Sequence, residues 1–166
     1  MNAIFLPTFP ALCCRTRAES AADAEKLALR VTDLVRERLG EAVFGERDDS
    51  FAGAVGERLR DRGLTLSLAE SCTGGLIASI LTDISGASSW YKQGWVVYTN
   101  DSKMRELGVE GSAFDKGESG AVSHKVAVQM ARGARYKSRS NVAIAVTGIA
   151  GPGGFKDGKE IGRVHA

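Results

Sequence analysis

The chain has 166 residues, which is enough for one ordinary α/β domain and a short extension. An apolar content of 43% and a charged content of 25% are typical of a soluble globular protein, and no apolar segment is long enough to span a membrane. With 22 basic and 20 acidic side chains, the charge is nearly balanced, so the composition gives no reason to expect a nucleic-acid partner. The three cysteines have the spacing of neither a disulfide framework nor a zinc site, which predicts a cytoplasmic protein with no metal.

Residues 1–19 are expected to be a disordered leader. The apolar stretch at 3–14 is interrupted by Pro7 and Pro10, and no basic residue precedes it. It therefore lacks the charged start and unbroken core of a signal peptide.

Residues 20–48 are predicted to form a helix and a strand ahead of the main domain. The helix begins at the cap Ser20, which Asp23 completes, and it ends at Gly40. A short strand is expected at 42–44.

The main domain is predicted to span 49–166 and to alternate helices with strands. A first helix follows a cap that Asp48, Asp49 or Ser50 can supply. Leucines at 64, 66 and 68 alternate with small polar residues, which predicts a strand with one buried face. From Leu76 the apolar residues follow helical spacing, so this strand runs into a helix through the turn at 70–75.

The second half of the domain continues the alternation. Its predicted elements are a strand at 95–98, a short helix capped by Asn100 or Asp101, a loop at 109–120, a helix capped by Ser123, a strand at 142–146 buried on both faces and a strand beginning at 161. This order predicts an α/β fold, and we expect a three-layer α/β/α sandwich with a mixed, mostly parallel sheet.

Polar side chains follow three of the predicted strands. Ligands of an α/β sheet ordinarily bind beyond the carboxyl ends of its strands, so parallel strands would bring these side chains together in one pocket. The three clusters are Glu70-Ser71-Cys72-Thr73, Tyr98-Thr99-Asn100-Asp101 with Lys103 close by, and Thr147 with the glycine-rich loop that follows it.

Ser71 has two interpretations at this stage. It attacks a carbonyl if a base removes its proton, or it simply caps a helix. Cys72 is likewise either a rival nucleophile or a small buried hydrophobic residue. The two histidines lie at a helix start and in the last three residues, which leaves Lys103 or a tyrosine as the base. A lysine acts as a base only if burial lowers its pKa from about 10.4, and spacing alone favours a solvated helix lysine.

The loop at 148–154 either binds phosphate through its backbone N–H groups or is a plain flexible connection. The pattern G-x-x-x-x-G-K occurs at 153–159, but Glu160 stands where a P-loop needs serine or threonine, and no helix pattern follows. This rules against a nucleoside-triphosphatase.

Four motifs together resemble the CinA C-terminal domain family in order and approximate spacing. The resemblance covers the chain from Ser50 to its end, and 24–45 looks like the linker that joins this domain to an N-terminal nucleotide-binding domain in longer CinA proteins. The motifs are A-E-S-C-T-G-G at 69–75, Y-T-N-D-S-K at 98–103, G-A-V-S at 120–123 and V-T-G-I-A-G-P-G-G at 146–154.

The resemblance implies an amidohydrolase that converts nicotinamide mononucleotide and water to nicotinate mononucleotide and ammonia, without metal or cofactor. By the same resemblance Ser71 is the nucleophile, and Tyr98 and Lys103 are its polar partners. Of these two we expect Lys103 to be the base and Tyr98 to orient the serine. The residues expected to bind the pyridine nucleotide are Glu70, Cys72, Thr73, Gly74, Asn100, Thr147, Gly148, Gly151 and Gly153.

The alternative is a catalytically inactive nucleotide-binding or interaction module of the same family. Family members usually continue beyond the position of Ala166, so we expect the C-terminal part of the domain to be missing. Trp90-Tyr91 and an unpaired sheet edge are candidate surfaces for self-association.

Overall fold

The computed structural model describes residues 15–45, 49–115, 120–151 and 160–166, together with the backbone at 4–5 and 10–11. The chain divides into two compact units, Met1–Asp48 and Asp49–Ala166. In the described parts, no helix combines the length with the apolar character that a membrane crossing requires.

The first unit contains one long helix. Strand β1 (Ile4–Phe5) pairs antiparallel with β2 (Pro10–Ala11), so these four residues have regular structure where the sequence predicts none. Helix α1 (Ala21–Leu39) begins at Ser20, whose hydroxyl accepts from the Asp23 backbone N–H, as predicted.

The strand predicted at 42–44 is not formed. A 3-10 helix follows α1 directly over Gly40–Ala42, and the Val43 N–H donates to the Gly40 carbonyl. Ala42, where the strand was predicted to begin, belongs to this 3-10 helix. Residues 43–45 have no regular structure.

The second unit alternates helices with strands. Its elements are α2 (Phe51–Asp61), β3 (Leu66–Glu70), α3 (Leu76–Thr82), β4 (Tyr91–Val96), α4 (Asn100–Leu107), α5 (His124–Ser138), β5 (Val142–Gly148) and β6 (Val164–His165), with 3-10 helices at Ala87–Ser89 and Gly111–Phe114.

The described strands of this unit form one sheet in the order β4-β3-β5-β6. Strand β3 is parallel to both β4 and β5, and β6 runs antiparallel to β5. Helices cover both faces, because one group of buried residues joins the sheet to α2 and α3 and another joins it to α4 and α5. The predicted three-layer sandwich with a mixed, mostly parallel sheet is therefore confirmed.

Strand β3 lies at the centre of these layers. Leu66 and Leu68 pack with Trp90 on the side of α2 and α3, whereas Ala69 packs with Met130 on the side of α5. All five residues of β3 are buried, so the prediction of a single buried face is wrong. Helices cover both faces of the sheet. Ser67, the polar residue between these leucines, is therefore buried as well.

The two strands beside β3 also differ from the predictions, because β5 is more exposed than expected and β4 ends earlier than expected. On β5, Val142 and Ile144 are 38% and 43% exposed, whereas Val146 further along the same face is 6% exposed. This face is therefore covered only near the end of the strand, and the prediction of burial on both faces is wrong for its first residues. On the other side of β3, β4 ends at Val96 because it pairs in parallel with β3, whose last residue Glu70 lies opposite Val96. Val97 and Tyr98, predicted inside this strand, follow it.

Helices α4 and α5 meet at a glycine. A Cβ added to Gly133 would collide with the backbone carbonyl of Leu107 at the end of α4. The Gly133→Ala variant should therefore lose about 1–3 kcal/mol of unfolding free energy in urea titrations, despite the better helix propensity of alanine. Gly111→Ala is the control, since its Cβ would lie 3.8 Å from the nearest atom, Met104 Sδ. A Gly133→Ala protein as stable as wild type would contradict this packing.

Candidate active site

Ser71 lies immediately after β3, at the carboxyl edge of the parallel strands. Its N–H donates to the Val146 carbonyl of the neighbouring β5 at 2.9 Å, and its own carbonyl accepts from the Gly74 N–H at 3.1 Å. Gly74 and Gly75 both have positive φ, 61° and 98°, in the turn that leads into α3. Residues with a Cβ disfavour this conformation by about 1–2 kcal/mol, so the two glycines allow the tight turn that holds Ser71 in place.

Lys103 reaches Ser71 from α4. That helix is capped by Thr99, one residue earlier than predicted, in a reciprocal pair with Ser102: each side-chain oxygen accepts from the other residue's backbone N–H at 3.1 Å. Because the cap fixes the first turn of α4, Lys103 projects into the domain, and it is only 1% exposed. Spacing alone favours a solvated lysine at this position, but the structure shows a buried one.

The amine of Lys103 has three hydrogen-bond partners. Nζ lies 3.0 Å from Ser71 Oγ, 2.9 Å from the Val97 carbonyl oxygen and 3.3 Å from the Tyr98 carbonyl oxygen. The two carbonyls only accept, so a neutral amine gives its two N–H groups to them and turns its lone pair to the Ser71 hydroxyl. An ammonium would instead donate to all three oxygens.

Burial favours the neutral form. It lowers the pKa of Lys103 below 10.5, and the opposing effect is the smaller attraction of a charged Cys72 thiolate, which raises that pKa. Desolvation thus favours the neutral amine, while the two carbonyls direct that amine at the Ser71 hydroxyl.

Glu70 serves a different purpose from the one predicted. Its carboxylate accepts from the backbone N–H groups of Gly75, Ile77 and Ala78 at 2.8–3.1 Å, and the residue is 1% exposed. Successive strand side chains point to opposite faces, so Glu70 turns to α3 while Ser71 turns to Lys103. Glu70 caps the start of α3, a role that the strand period could have indicated.

The turn after Ser71 offers unused polar groups. Among the described residues, the backbone N–H groups of Cys72 and Thr73 have no hydrogen-bond acceptor, and the buried Thr73 hydroxyl has no partner. Gly148 at the end of β5 lies against this turn, because a Cβ there would come within 2.9 Å of Cys72 Sγ. The first and third predicted clusters therefore meet.

Thr147 and Gly151 hold the neighbouring loops. Thr147 is 1% exposed, and its hydroxyl donates to the Ala121 carbonyl at 2.7 Å, which fastens the loop before α5 to the sheet edge. Gly151 has φ of 72°, and a Cβ there would lie 2.7 Å from Ile161. Gly153 lies outside the described residues.

Tyr98 and Asn100 lie at the surface beside the pair. The Tyr98 side chain is 69% exposed, and within the described residues its phenol has no hydrogen bond to Ser71 or Lys103. Tyr98 contributes its backbone carbonyl, so the prediction that its side chain orients Ser71 does not match the geometry. Asn100 is exposed in the first turn of α4.

In the part of the chain that the structure describes, no three histidine, cysteine, aspartate or glutamate side chains lie close enough together to hold a metal ion. The fold and the site thus define an α/β/α domain with a buried lysine–serine pair where its parallel strands end. The chain belongs to the CinA C-terminal domain family, whose profile matches residues 48–166.

Relatives agree in sequence and in fold. A CinA-like protein of Geobacter sulfurreducens is 48% identical over 91% of this chain, and the match covers 36% of that relative. The crystal structure of the competence/damage inducible protein CihA from Agrobacterium tumefaciens is 50% identical, with a TM-score of 0.64 over 68% of this chain and 67% of that one. The competence damage-inducible protein A (ComA) of Klebsiella pneumoniae is 34% identical, with a TM-score of 0.65, covering 68% and 69%. The chain thus spans little more than a third of the length of the curated relatives it matches.

The capping role of Glu70 is testable by stability. In Glu70→Gln, one carboxylate oxygen becomes an amide NH2 that faces backbone donors, so the unfolding free energy should fall by about 1–3 kcal/mol in chemical denaturation. Glu57→Gln makes the same change at an exposed position of α2 and should have little effect. Equal stability of the two variants would contradict the cap.

Proposed function

We propose that the domain hydrolyses the carboxamide of nicotinamide mononucleotide, giving nicotinate mononucleotide and ammonia, in cytoplasmic recycling of pyridine nucleotides. The observation that carries the reaction class is the 3.0 Å approach of the buried Lys103 amine to Ser71 Oγ. A hydroxyl beside a neutral amine is an activated nucleophile, and amide hydrolysis is a reaction that such a pair can perform. The choice of amide rests on the four family motifs that this sequence retains.

In the first step the Ser71 hydroxyl gives its proton to Lys103 Nζ while Oγ attacks the carboxamide carbon. Negative charge develops on the carboxamide oxygen. The free N–H groups of Cys72 and Thr73 are the donors available to stabilise it, since they are unpaired in the turn that carries the nucleophile.

In the second step the carbon–nitrogen bond breaks, and the proton on Lys103 passes to the leaving nitrogen, which departs as ammonia. The neutral lysine then takes a proton from water, whose oxygen attacks the acyl-serine. As the bond between the acyl carbon and Ser71 Oγ breaks, Lys103 returns that proton to Oγ, which restores the serine hydroxyl and frees the acid product. Lys103 acts once as base and once as acid in each half of the cycle, so protons balance and no cofactor is required.

The nucleotide would be held by groups around the pair. Tyr98 and Asn100 are exposed, so their side chains are free to contact the substrate. The buried Thr73 hydroxyl lacks a partner and can bond to a polar substrate group. Gly148 and Gly151 keep the end of β5 free of side chains beside the turn.

The first test is ammonia release from nicotinamide mononucleotide. Ser71→Ala and Lys103→Met should each lower kcat by about a thousandfold or more, because either change removes one half of a unit that acts together. Lys92→Met, an exposed lysine on β4, should leave kcat unchanged. A Ser71→Ala protein that releases ammonia at the wild-type rate would remove Ser71 as the nucleophile, whereas binding of the nucleotide without turnover by wild type would favour the inactive module.

The second test is the pH profile of kcat/KM. The reaction needs the neutral amine, so the rate should rise with pH through the pKa of Lys103, which burial places below 10.5. Replacing Cys72 by serine removes the charge that raises this pKa and should move the rising limb to lower pH. A limb at or above 10.5, or a rate that falls as pH rises through neutrality, would contradict Lys103 as the base.

A further inference from the structure

A basic concavity lies at the opposite edge of the sheet from Ser71. It occupies about 840 Å³ where α5 ends and the chain turns into β5. The described residues that line it are Arg132, Arg135, Tyr136, Lys137, Arg139 and Ser140, which provide four cations, one aromatic ring and no carboxylate. None of these cations forms a salt bridge with a described acidic side chain. The net charge of the whole chain is only +2, so it does not reveal this local excess of positive charge.

The base of the concavity is braced by hydrogen bonds. The Ser140 hydroxyl donates to the Val142 carbonyl at 2.8 Å and lies 2.9 Å from the hydroxyl of Ser67 in the core strand β3. Arg135 Nε donates to the Asn141 carbonyl at 3.0 Å, which holds that guanidinium across the turn. Arg132, Arg135 and Lys137 therefore project from helix α5, and Arg139 projects from a turn whose backbone is held by hydrogen bonds.

Arg139 has a backbone conformation that suits glycine better. Its φ is 54°, and it is the only residue with a side chain at positive φ in the described part of the chain. It occupies the helix-end position where glycine is usual, because a Cβ there costs free energy. Strain of this kind is typical of ligand-binding positions, and here it carries a guanidinium into the lining.

Stabilisation of the helix end does not account for the whole set. Cations near the last carbonyls of a helix interact favourably with its dipole, which explains Arg135 and Lys137. The interaction with the helix dipole explains neither the positive φ of Arg139, which follows the helix, nor the ring of Tyr136, which is 86% exposed among the cations.

We propose that this concavity binds single-stranded nucleic acid, with Arg132, Lys137 and Arg139 contacting successive phosphates and one base stacking on Tyr136. Single strands are bound by a combination of a positively charged groove and an exposed aromatic face, and both are present here. The surface is separate from the lysine–serine pair, so the binding is independent of the proposed hydrolysis.

The test measures fluorescence anisotropy of a labelled oligothymidylate of about twelve nucleotides. Wild type should bind with Kd of roughly 10⁻⁶ to 10⁻⁴ M, and log K should fall against log salt with a slope of about −2, since each of three single-strand phosphate contacts contributes about 0.7. Arg132→Glu/Arg139→Glu should weaken binding more than tenfold. Lys26→Glu/Arg30→Glu in α1 makes the same change of net charge and should alter Kd less than twofold.

Two single variants separate binding from stability. Tyr136→Ala should weaken binding roughly tenfold and Tyr136→Phe should not, since phenylalanine keeps the stacking face. Arg139→Gly should keep the melting temperature at or above that of wild type, because glycine relieves the positive φ, while the affinity falls and the salt slope shrinks by about 0.7. A residue that served only the fold would not give this opposite pair of changes.

Three results would overturn the proposal. Equal loss of affinity in the two double variants would mean that overall charge alone attracts the strand. Inorganic polyphosphate binding as tightly as the oligonucleotide, with no effect of Tyr136→Ala on oligonucleotide affinity, would indicate a plain polyanion surface. Stronger binding to vesicles of phosphatidylserine and phosphatidylcholine than to the oligonucleotide would indicate a membrane surface.

Discussion

The hydrogen bonds of the Lys103 amine are the constraint on which the rest of the site depends. A lysine that is 1% exposed would be costly as an isolated charge. Among the described residues, its surroundings provide two backbone carbonyls and one hydroxyl but no carboxylate bonded to it. The carbonyls fix the direction of the amine, so the remaining position is aimed at Ser71 Oγ. The same three contacts therefore satisfy a buried polar group and prepare a nucleophile.

Each neighbouring element contributes to this arrangement. Successive side chains of β3 point to opposite faces of the sheet, so Glu70 lies at the start of α3 while Ser71 lies on the other face. The helix cap and the nucleophile are therefore on different sides of the sheet. Strand β4 ends at Val96, which leaves the carbonyls of Val97 and Tyr98 free of the sheet and available to Lys103. Gly148 lets the end of β5 approach the turn, and the glycines of the turn allow its sharp bend.

The sequence predicted the layers of the fold, the start of α3 and the meeting of polar groups at one sheet edge, because apolar periodicity and glycine positions are local signals. It did not predict the burial of Lys103, since helical spacing is the same for a lysine that faces solvent and for one that faces the sheet. The role of the Tyr98 carbonyl depends on the parallel pairing of β3 with β4, which determines where β4 ends. The capping role of Glu70 follows instead from the two-residue period of β3, which places Glu70 and Ser71 on opposite faces. The exposed face of β5 likewise depends on which helices cover it, and the apolar run alone does not show this.

The most direct measurement of the central claim is the titration of Lys103 itself. Protein labelled with ¹³C at lysine Cε gives one resonance per lysine, and the signal lost in Lys103→Met identifies the buried one. This resonance should titrate below pH 10.5, because burial lowers the pKa of Lys103. A Lys103 resonance that stays in the ammonium form up to or beyond pH 10.5 would contradict the claim that burial prepares this amine to take the proton of Ser71.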